Sequence, residues 1–352
     1  MNHISSSSYD VYFEHQARVE LKKLTSSNYY STYFVLVDEN TKRCCLEHFE
    51  SLIPPSFSYI CIEISSGEEH KNIDSCEQVW NVLTENNADR KSLLINLGGG
   101  VLTDLGGFCA ATYKRGIDFV NIPTTLLSMV DAAVGGKTGI DFQGLKNHIG
   151  VFCNAKMTLV MTMFLETLDQ RQINNGMAEM IKHGLIYDEQ HFNEVVKDLN
   201  AFRKLIAQSV YIKHCVVTED PKESGLRKIL NFGHTLGHAI ETYMMDEPEK
   251  ESLFHGEAIG IGMILEAYIS FKLNKLSESD LIFITQSLIP LYDKVSFNAE
   301  DIQKILRLSL HDKKNKKGKV MFVLLEGIGK ANYDIEVEKH HIIEAFDYYQ
   351  RV

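Results

Sequence analysis

Two imidazoles stand four residues apart in Leu230-Asn231-Phe232-Gly233-His234-Thr235-Leu236-Gly237-His238. The residues that follow, Ala239-Ile240-Glu241-Thr242, read as helix, and at that spacing both rings lie on one helical face and reach one site. A third imidazole comes in Phe254-His255-Gly256-Glu257-Ala258, and Met177-Ala178-Glu179-Met180-Ile181-Lys182 offers a carboxylate upstream. Two histidines and a glutamate that leave one coordination position open are a donor set of catalytic zinc. A lone helical histidine is ordinarily structural, but three of them with a glutamate, all in glycine-flanked motifs, favour a metal. Spacing alone leaves His234 and His238 unranked as ligands.

A second constellation is cationic: Arg115, Lys137, Lys146, Lys182, Lys213, Arg227 and Lys313 or Lys314. Lys182 lies three residues after Glu179 and shares its helical face. Arg227 lies one turn before Asn231 and two before His234, so a single helix would present an arginine, an amide and an imidazole together. Taken singly, each cation reads as solvated surface. The formal net charge of −11 is screened by salt beyond roughly 8 Å. A cation about 4 Å from a phosphate, at an effective dielectric near 20, gains about 4 kcal/mol before desolvation. Local cations therefore outweigh the distant net charge, and an anionic substrate suits this acidic chain.

Leu93-Leu94-Ile95-Asn96-Leu97 runs into Gly98-Gly99-Gly100-Val101-Leu102-Thr103-Asp104. Such a turn lets the backbone approach a pyrophosphate, with the N–H groups of a helix start pointing at it. Thr103 occupies the place of the third glycine in the common dinucleotide fingerprint, so a plain structural turn explains the segment about equally well. Asp38 and Asn40 after a strand, Glu68 and Lys71 near a loop, and Thr124-Thr125 after Pro123 add acceptors suited to a ribose. Each alone reads as a solvated loop residue.

These residues need a scaffold. Tyr33 to Val37, Leu93 to Leu97 and Phe119 to Ile122 read as buried strands, and helical patterns between them imply parallel pairing. Beyond about Phe164 helical periodicity takes over, with helices expected over Thr167 to Ile186, His191 to Ser209, Lys228 to Met244, Glu257 to Lys272 and Ala299 to Ser309, and one late strand from Val320 to Leu325. The expected fold is an α/β Rossmann-like nucleotide-binding domain over residues 1–165, followed by a mainly α-helical metal- and substrate-binding domain over 166–352, with the active site in the cleft between them. The 352 residues suffice for two cores. The negative balance excludes a sequence-independent nucleic-acid binder. Neither a signal peptide nor an apolar run of membrane-spanning length is present; the best run, Phe119 to Val134, is broken by Pro123 and Asp131. Seven cysteines without a C-x-x-C pair suit reduced thiols in a cytoplasm.

Taken in order, the segments Gly98 to Asp104, Ile122-Pro123-Thr124-Thr125-Leu126-Leu127, Asp131-Ala132-Ala133-Val134-Gly135-Gly136-Lys137-Thr138-Gly139, Gly176 to Lys182, Gly225 to Thr235, His255-Gly256-Glu257-Ala258 and Asp312-Lys313-Lys314 resemble the 3-dehydroquinate synthase family of sugar phosphate cyclases. The resemblance runs from about residue 30 to 330. It implies an NAD- and zinc-dependent lyase of the shikimate pathway, the route to chorismate and the aromatic amino acids, with cobalt an accepted substitute metal. Such enzymes convert 3-deoxy-D-arabino-heptulosonate 7-phosphate to 3-dehydroquinate and phosphate through transient oxidation, phosphate elimination, reduction, ring opening and aldol closure.

By the family pattern the metal ligands fall on Glu179, His234 and His255, and His238 is left for substrate and proton handling. NAD contacts fall on Asp38, Asn40, Glu68, Lys71, Gly99, Gly100, Val101, Asp104, Thr124, Thr125, Leu127, Lys146, Thr167 and Leu168. Substrate contacts fall on Arg115, Asp131, Lys137, Lys146, Asn147, Lys182, Lys213, Arg227, Asn231, His238, Lys313 and Lys314. Of these, Lys137, Lys182, Arg227, Asn231 and His238 form the catalytic group. Arg115 matches a residue that reaches the phosphate of the neighbouring subunit, which implies a homodimer without nucleic-acid or membrane partners.

Leu145, Asp169 and Gln172 stand where the family usually has Gly, Pro and Glu, and Asn154-Ala155 lacks the usual proline. The chemistry-bearing positions are unaffected. Related cyclases that make valiolone-type products tend to carry aspartate at the place of Asn231 and proline at that of His238, so these two residues favour the dehydroquinate reaction. A metal-dependent polyol dehydrogenase resembling glycerol dehydrogenase is the competing class, and the number of phosphate-suited cations argues against it.

Overall fold

The computed structural model describes residues 1–352 apart from 7, 28, 144 and 310–319. Lys313 and Lys314, with Asp312, therefore lie outside the described residues. The chain divides into two units, Met1–Ile173 and Asn174–Val352.

The first unit is built on β1 (His3–Ser5), β2 (Asp10–Phe13), β3 (Tyr33–Asp38), β4 (Ile60–Ile64), β5 (Leu93–Gly98), β6 (Asp118–Pro123), β7 (Lys137–Phe142), β8 (Leu145–Phe152) and β9 (Met157–Val160). Seven of these form one sheet in the order β1-β2-β9-β6-β5-β3-β4, parallel except for the β1–β2 pair. The β3, β5 and β6 runs are buried along nearly their whole length, as expected of parallel strands covered on both faces. Phe34, Leu36, Leu94 and Phe119 contribute to the core. From β3 the chain moves outward to β4 and then returns to place β5 on the other side of β3. That reversal puts a switch point between β3 and β5, and the crevice beyond the carboxyl ends of the strands there is where open α/β sheets take ligands. The antiparallel β7–β8 hairpin stands apart from the main sheet.

In the second unit the helix His255–Lys272 is apolar all round, and every residue from Gly256 to Ser270 is buried. Packed against it are helices His234–Asp246, Glu278–Leu288 and Lys339–Arg351 and the strand β10 (Met321–Leu325), which pairs antiparallel with β11 (Ala331–Glu336); the helix Ala299–Ser309 packs on His234–Asp246, and Ile206–Glu219 lies beside the segment Leu226–Asn231. The architecture is thus an α/β parallel-sheet unit followed by a mainly helical one, as read from the sequence.

Local departures have identifiable causes. The expected helix over Lys228 to Met244 is two elements, a 3₁₀ segment Leu226–Asn231 and the α-helix His234–Asp246. They are separated at Gly233, whose φ of 77° is left-handed and breaks the helix. Arg227, Asn231 and His234 accordingly do not share one helix. The stretch His191 to Ser209 is likewise broken. Asp198 ends the helix Glu189–Lys197 and caps the next turn by accepting from the Asn200 N–H. Asp169, which replaces a proline of the family pattern, acts at the start of the helix Gln170–Tyr187, where its carboxylate accepts from the Gln172 N–H at 2.8 Å.

Candidate active site

Glu179 is fully buried on the helix Gln170–Tyr187, and its Oε1 lies 3.6 Å from His234 Nε2 and 3.7 Å from His255 Nε2. Donors that bind one ion at about 2.1 Å in a tetrahedron stand about 3.4 Å apart, so these three groups have the spacing of a shared cation. The other carboxylate oxygen, Oε2, pairs with the buried Lys182 ammonium. One oxygen thus faces the imidazoles and the other faces a cation of the protein. His234 Nδ1 lies 3.1 Å from the Phe232 carbonyl. An N–H at that position fixes the tautomer and leaves Nε2 as the donor atom. His255 is flanked on its other side by Glu241, with Nδ1 to Oε2 at 3.6 Å. Burial pushes the His255 imidazolium down, but the Glu179 and Glu241 carboxylates outweigh it and hold the group up at about 9. A site that favours positive charge this strongly suits a divalent ion in the proton's place.

His238 sits one turn beyond His234, with ring centroids 5.0 Å apart, and 5.7 Å from the His255 ring. One ring nitrogen from each of the three histidines falls within 4.8 Å of those of the other two. The four sequence-predicted groups and Lys182 are therefore gathered within the second unit. Of the three imidazoles, His234 is buried whereas His238 and His255 are partly open.

Arg227 and Asn231 belong to a neighbouring 3₁₀ segment whose anchors were not visible in the sequence. The Asp220 carboxylate accepts from the N–H groups of Ser224 at 3.0 Å, Gly225 at 2.6 Å and Arg227 at 3.1 Å. Arg227 Nη1 donates to the Pro221 carbonyl at 2.7 Å, and Asn231 Nδ2 to Glu223 at 2.7 Å. Burial raises the Asp220 carboxyl, but the converging N–H groups prevail and hold it below the ordinary carboxylate range. A depressed carboxyl stabilises the fold above its unfolded value, and that contribution is lost as pH falls through the lower folded value. Asp220→Ala should leave the metal donors in place, loosen Arg227 and raise KM for an anionic substrate about tenfold with a smaller change in kcat. Steady-state kinetics check this, and an unchanged KM would remove Asp220 from the site. Lys213 is buried on the helix Ile206–Glu219.

In the first unit Lys71 is the hub. Its buried ammonium donates to Asp104 Oδ2 and Asn147 Oδ1, both at 2.7 Å, with Glu68 at 3.9 Å. Burial alone would push the ammonium down, but Asp104 and Glu68 hold it above its usual range. Asn147 takes a positive φ of 50° and donates its N–H to Asp141 within the β7–β8 hairpin, and the hairpin is joined to this cluster by the Lys71–Asn147 bond and by the Asp141 N–H, which donates to the Lys71 carbonyl at 2.8 Å. Gly98 ends β5, and the helix Gly100–Thr112 starts from Gly99 without a side-chain cap, which leaves its first N–H groups suited to an anion. The close-packing glycine missing at Thr103 is supplied one turn later. A Cβ on Gly106 would stand 2.0 Å from Asn96 Oδ1, and one on Gly107 2.5 Å from Thr138 Cγ2. Asp38, at the end of β3, caps the helix Glu39–Leu52 by accepting from the Thr41 N–H at 2.7 Å, and Asn40 accepts from Arg43 at 3.0 Å.

Thr124 donates its N–H to the Gly98 carbonyl at 3.0 Å, and the Thr125 hydroxyl bonds Ser128 at 2.9 Å. Val101 and Leu127 are half-buried at the starts of their helical turns. Asp131 lies in the π-helical turn Ser128–Ala132. The carbonyl just beyond, Ala133, accepts from Thr158 Oγ1 at 3.1 Å and Asn121 Nδ2 at 3.5 Å, and Asn121 in turn accepts from Asn96 at 2.9 Å. This buried polar relay, missed in the sequence, holds the segment between Asp131 and the exposed Lys137. Lys146 is half-buried on β8, and Arg115 is exposed in a turn with a left-handed φ of 70°. Thr167 and Leu168 follow the 3₁₀ turn Thr162–Leu165. These last residues are not gathered around Lys71 by any bond described above.

The sequence matches the 3-dehydroquinate synthase N-terminal family over residues 61–175 and the corresponding C-terminal family over 176–315. The chain belongs to the 3-dehydroquinate synthase family. It is 41% identical to the 3-dehydroquinate synthase of Parabacteroides distasonis over 94% of this chain and 95% of that one. It is 37% identical to that of Campylobacter concisus over 96% of this chain and 95% of that one. In three dimensions it is similar to the 2-epi-5-epi-valiolone synthase of Streptomyces hygroscopicus, solved with NAD+ and Zn2+ bound. The TM-score is 0.85 at 25% identity, covering 99% of this chain and 98% of that one. Among the described residues no helix is long and apolar enough to cross a membrane.

Proposed function

We propose that the protein converts 3-deoxy-D-arabino-heptulosonate 7-phosphate to 3-dehydroquinate and phosphate, with NAD as a recycled cofactor and zinc or cobalt as the cation. The observation that carries this reading is Glu179 Oε1 set 3.6 and 3.7 Å from two imidazole nitrogens in a chain of this family. When bound, NAD supplies reversible oxidation and the metal acidifies the hydroxyls it touches. Glu179, His234 and His255 would hold the cation. Lys71, Asp104 and the uncapped helix start at Gly99 and Gly100 would hold the nucleotide near the β3–β5 reversal, with Asp38, Asn40, Glu68, Val101, Thr124, Thr125, Leu127, Lys146, Thr167 and Leu168 around it.

Lys182, buried beside Glu179, and Arg227, fixed by the Asp220 loop, present cations that orient an anionic substrate and stabilise charge as it develops. Asn231 adds an amide, and His238, partly open among the imidazoles, exchanges protons with the substrate. Asp131, Lys137, Lys146, Asn147, Lys213, Lys313 and Lys314 complete the substrate contacts. In the homodimer we propose, Arg115, exposed on its turn, reaches the phosphate bound by the neighbouring subunit. Seven free cysteines are compatible with the cytoplasm as its compartment.

The test is phosphate release with sub-stoichiometric NAD+, before and after chelation and zinc re-addition. Many phosphates per NAD+, abolished by chelator and restored by zinc, are expected. The fold likeness to a valiolone-forming cyclase gives the second reading, which Asn231 and His238 oppose. No release from the folded, metal-loaded protein would move the assignment to such a cyclase, and net NADH accumulation on a simple polyol would move it to a dehydrogenase.

A further inference from the structure

Glu266 is fully buried on the helix His255–Lys272, three turns beyond His255. Its carboxylate accepts from the Gly233 N–H at 2.7 Å through Oε2 and from the Leu236 N–H at 3.2 Å through Oε1. Those N–H groups flank His234 at the start of the helix His234–Asp246, where no side chain of the cap residue itself serves. A carboxylate there satisfies otherwise orphaned donors and complements the helix dipole. The consequence runs on to the ring. Gly233 takes its left-handed φ of 77° directly after Phe232, whose carbonyl lies 3.1 Å from His234 Nδ1. The two helices also meet backbone to backbone, since a Cβ on Gly262 would stand 2.0 Å from the Gly233 carbonyl oxygen.

We infer that Glu266 is a positioning residue for the metal centre. It clamps the Phe232–Gly233 turn to the helix that carries His255, so the Nε2 atoms of His234 and His255 keep their separation from Glu179 before any ion arrives. The inference rests on Glu179, His234 and His255 being the metal ligands.

The experiment titrates metal-free wild type and Glu266→Gln with Zn2+ against a chromophoric chelator, and with Co2+ while the visible ligand-field absorption is recorded. Glutamine keeps one acceptor but sets an NH2 against one of the two backbone N–H groups. The expected result is Zn2+ binding at least about tenfold weaker, the scale of a lost outer-shell partner, and a changed Co2+ spectrum in a variant whose circular dichroism is that of the wild type. Equal affinity and an identical Co2+ spectrum in the folded variant would overturn the inference while leaving the ligand assignment intact. A wild type that binds neither ion would overturn the ligand assignment and the inference with it. Should the variant fail to fold, hydrogen exchange on metal-free wild type decides. Protected Gly233 and Leu236 amides support a clamp formed before the ion, and fast exchange at both overturns it.

Discussion

Glu179→Gln is expected to lose both the cation and turnover. The wild-type carboxylate has no exposed surface, presents Oε1 to two imidazoles at 3.6 and 3.7 Å, and gives Oε2 to the buried Lys182 ammonium. Glutamine is nearly isosteric but neutral, and its NH2 must face either the metal position or Lys182. In the first case a donor group is lost; in the second an ammonium is left without its counter-charge. Either way the site loses one negative charge where two imidazoles and an ammonium converge. Zinc affinity should fall by more than about 100-fold, beyond what an outer-shell partner contributes. Breaking the buried Glu179–Lys182 pair should also destabilise the metal-free protein by about 3–5 kcal/mol. Zinc per chain after dialysis against chelator, together with phosphate release, measures the effect. A variant that retained zinc and turnover would sink the ligand assignment.

Lys71→Met is the second large effect, and it belongs to the other unit. Lys71 is 3% exposed and balances Asp104 directly and Glu68 at longer range, while bonding Asn147 on the hairpin. Methionine fills the volume of the stem but takes the ammonium away from Asp104 and Glu68. The carboxylates left behind are only half-buried, so losing their cation costs about 1–3 kcal/mol, which for a unit of this size lowers Tm on the order of 5 °C. NAD affinity should fall with it, because Asp104 and Asn147 lose the group that orients them. Thermal unfolding and NAD+ titration read the two consequences separately. An unaltered Tm and NAD+ affinity would show that the cluster is solvated in solution and carries neither role.

The parts legible in the sequence are those in which one residue type has one physical use. Leu93 to Leu97 could be read as a buried strand because a continuous apolar run bounded by glycine has few other uses, and the structure extends it by one residue to Gly98. The cluster of Glu179, His234, His238 and His255 was legible because imidazoles at helical spacing are chemically scarce. What escaped was decided by backbone direction and by partners distant in sequence. The apolar pattern runs on through Phe232, so periodicity gave no sign of the left-handed Gly233 that splits the helix. β8 was missed because most of it is exposed and it carries no buried alternation. The helix Lys339–Arg351 buries Ile342, Ala345, Phe346 and Tyr349 at a spacing that could have been recognised. Asp220, Glu241 and Glu266 look like surface acids in the sequence. Only the fold shows that each faces backbone N–H groups or an imidazole.

The crossing of the helices His234–Asp246 and His255–Lys272 has a consequence for how this half of the molecule can change over generations. A Cβ on Gly262 would stand 2.0 Å from the Gly233 carbonyl oxygen, and one on Gly237 would stand 3.1 Å from the Ala258 carbonyl oxygen. Neither glycine is among the proposed ligands, yet Gly262 admits no larger residue without prising apart the helices that carry His234 and His255, whereas at Gly237 the end of the Ile259 side chain would move and the backbone give by a few tenths of an ångström. In a saturation library Gly262 should therefore be as intolerant as Glu179, His234 and His255, and Gly237 less so. Variation that retunes metal preference would have to come from Glu241 and other residues that vary without widening the crossing.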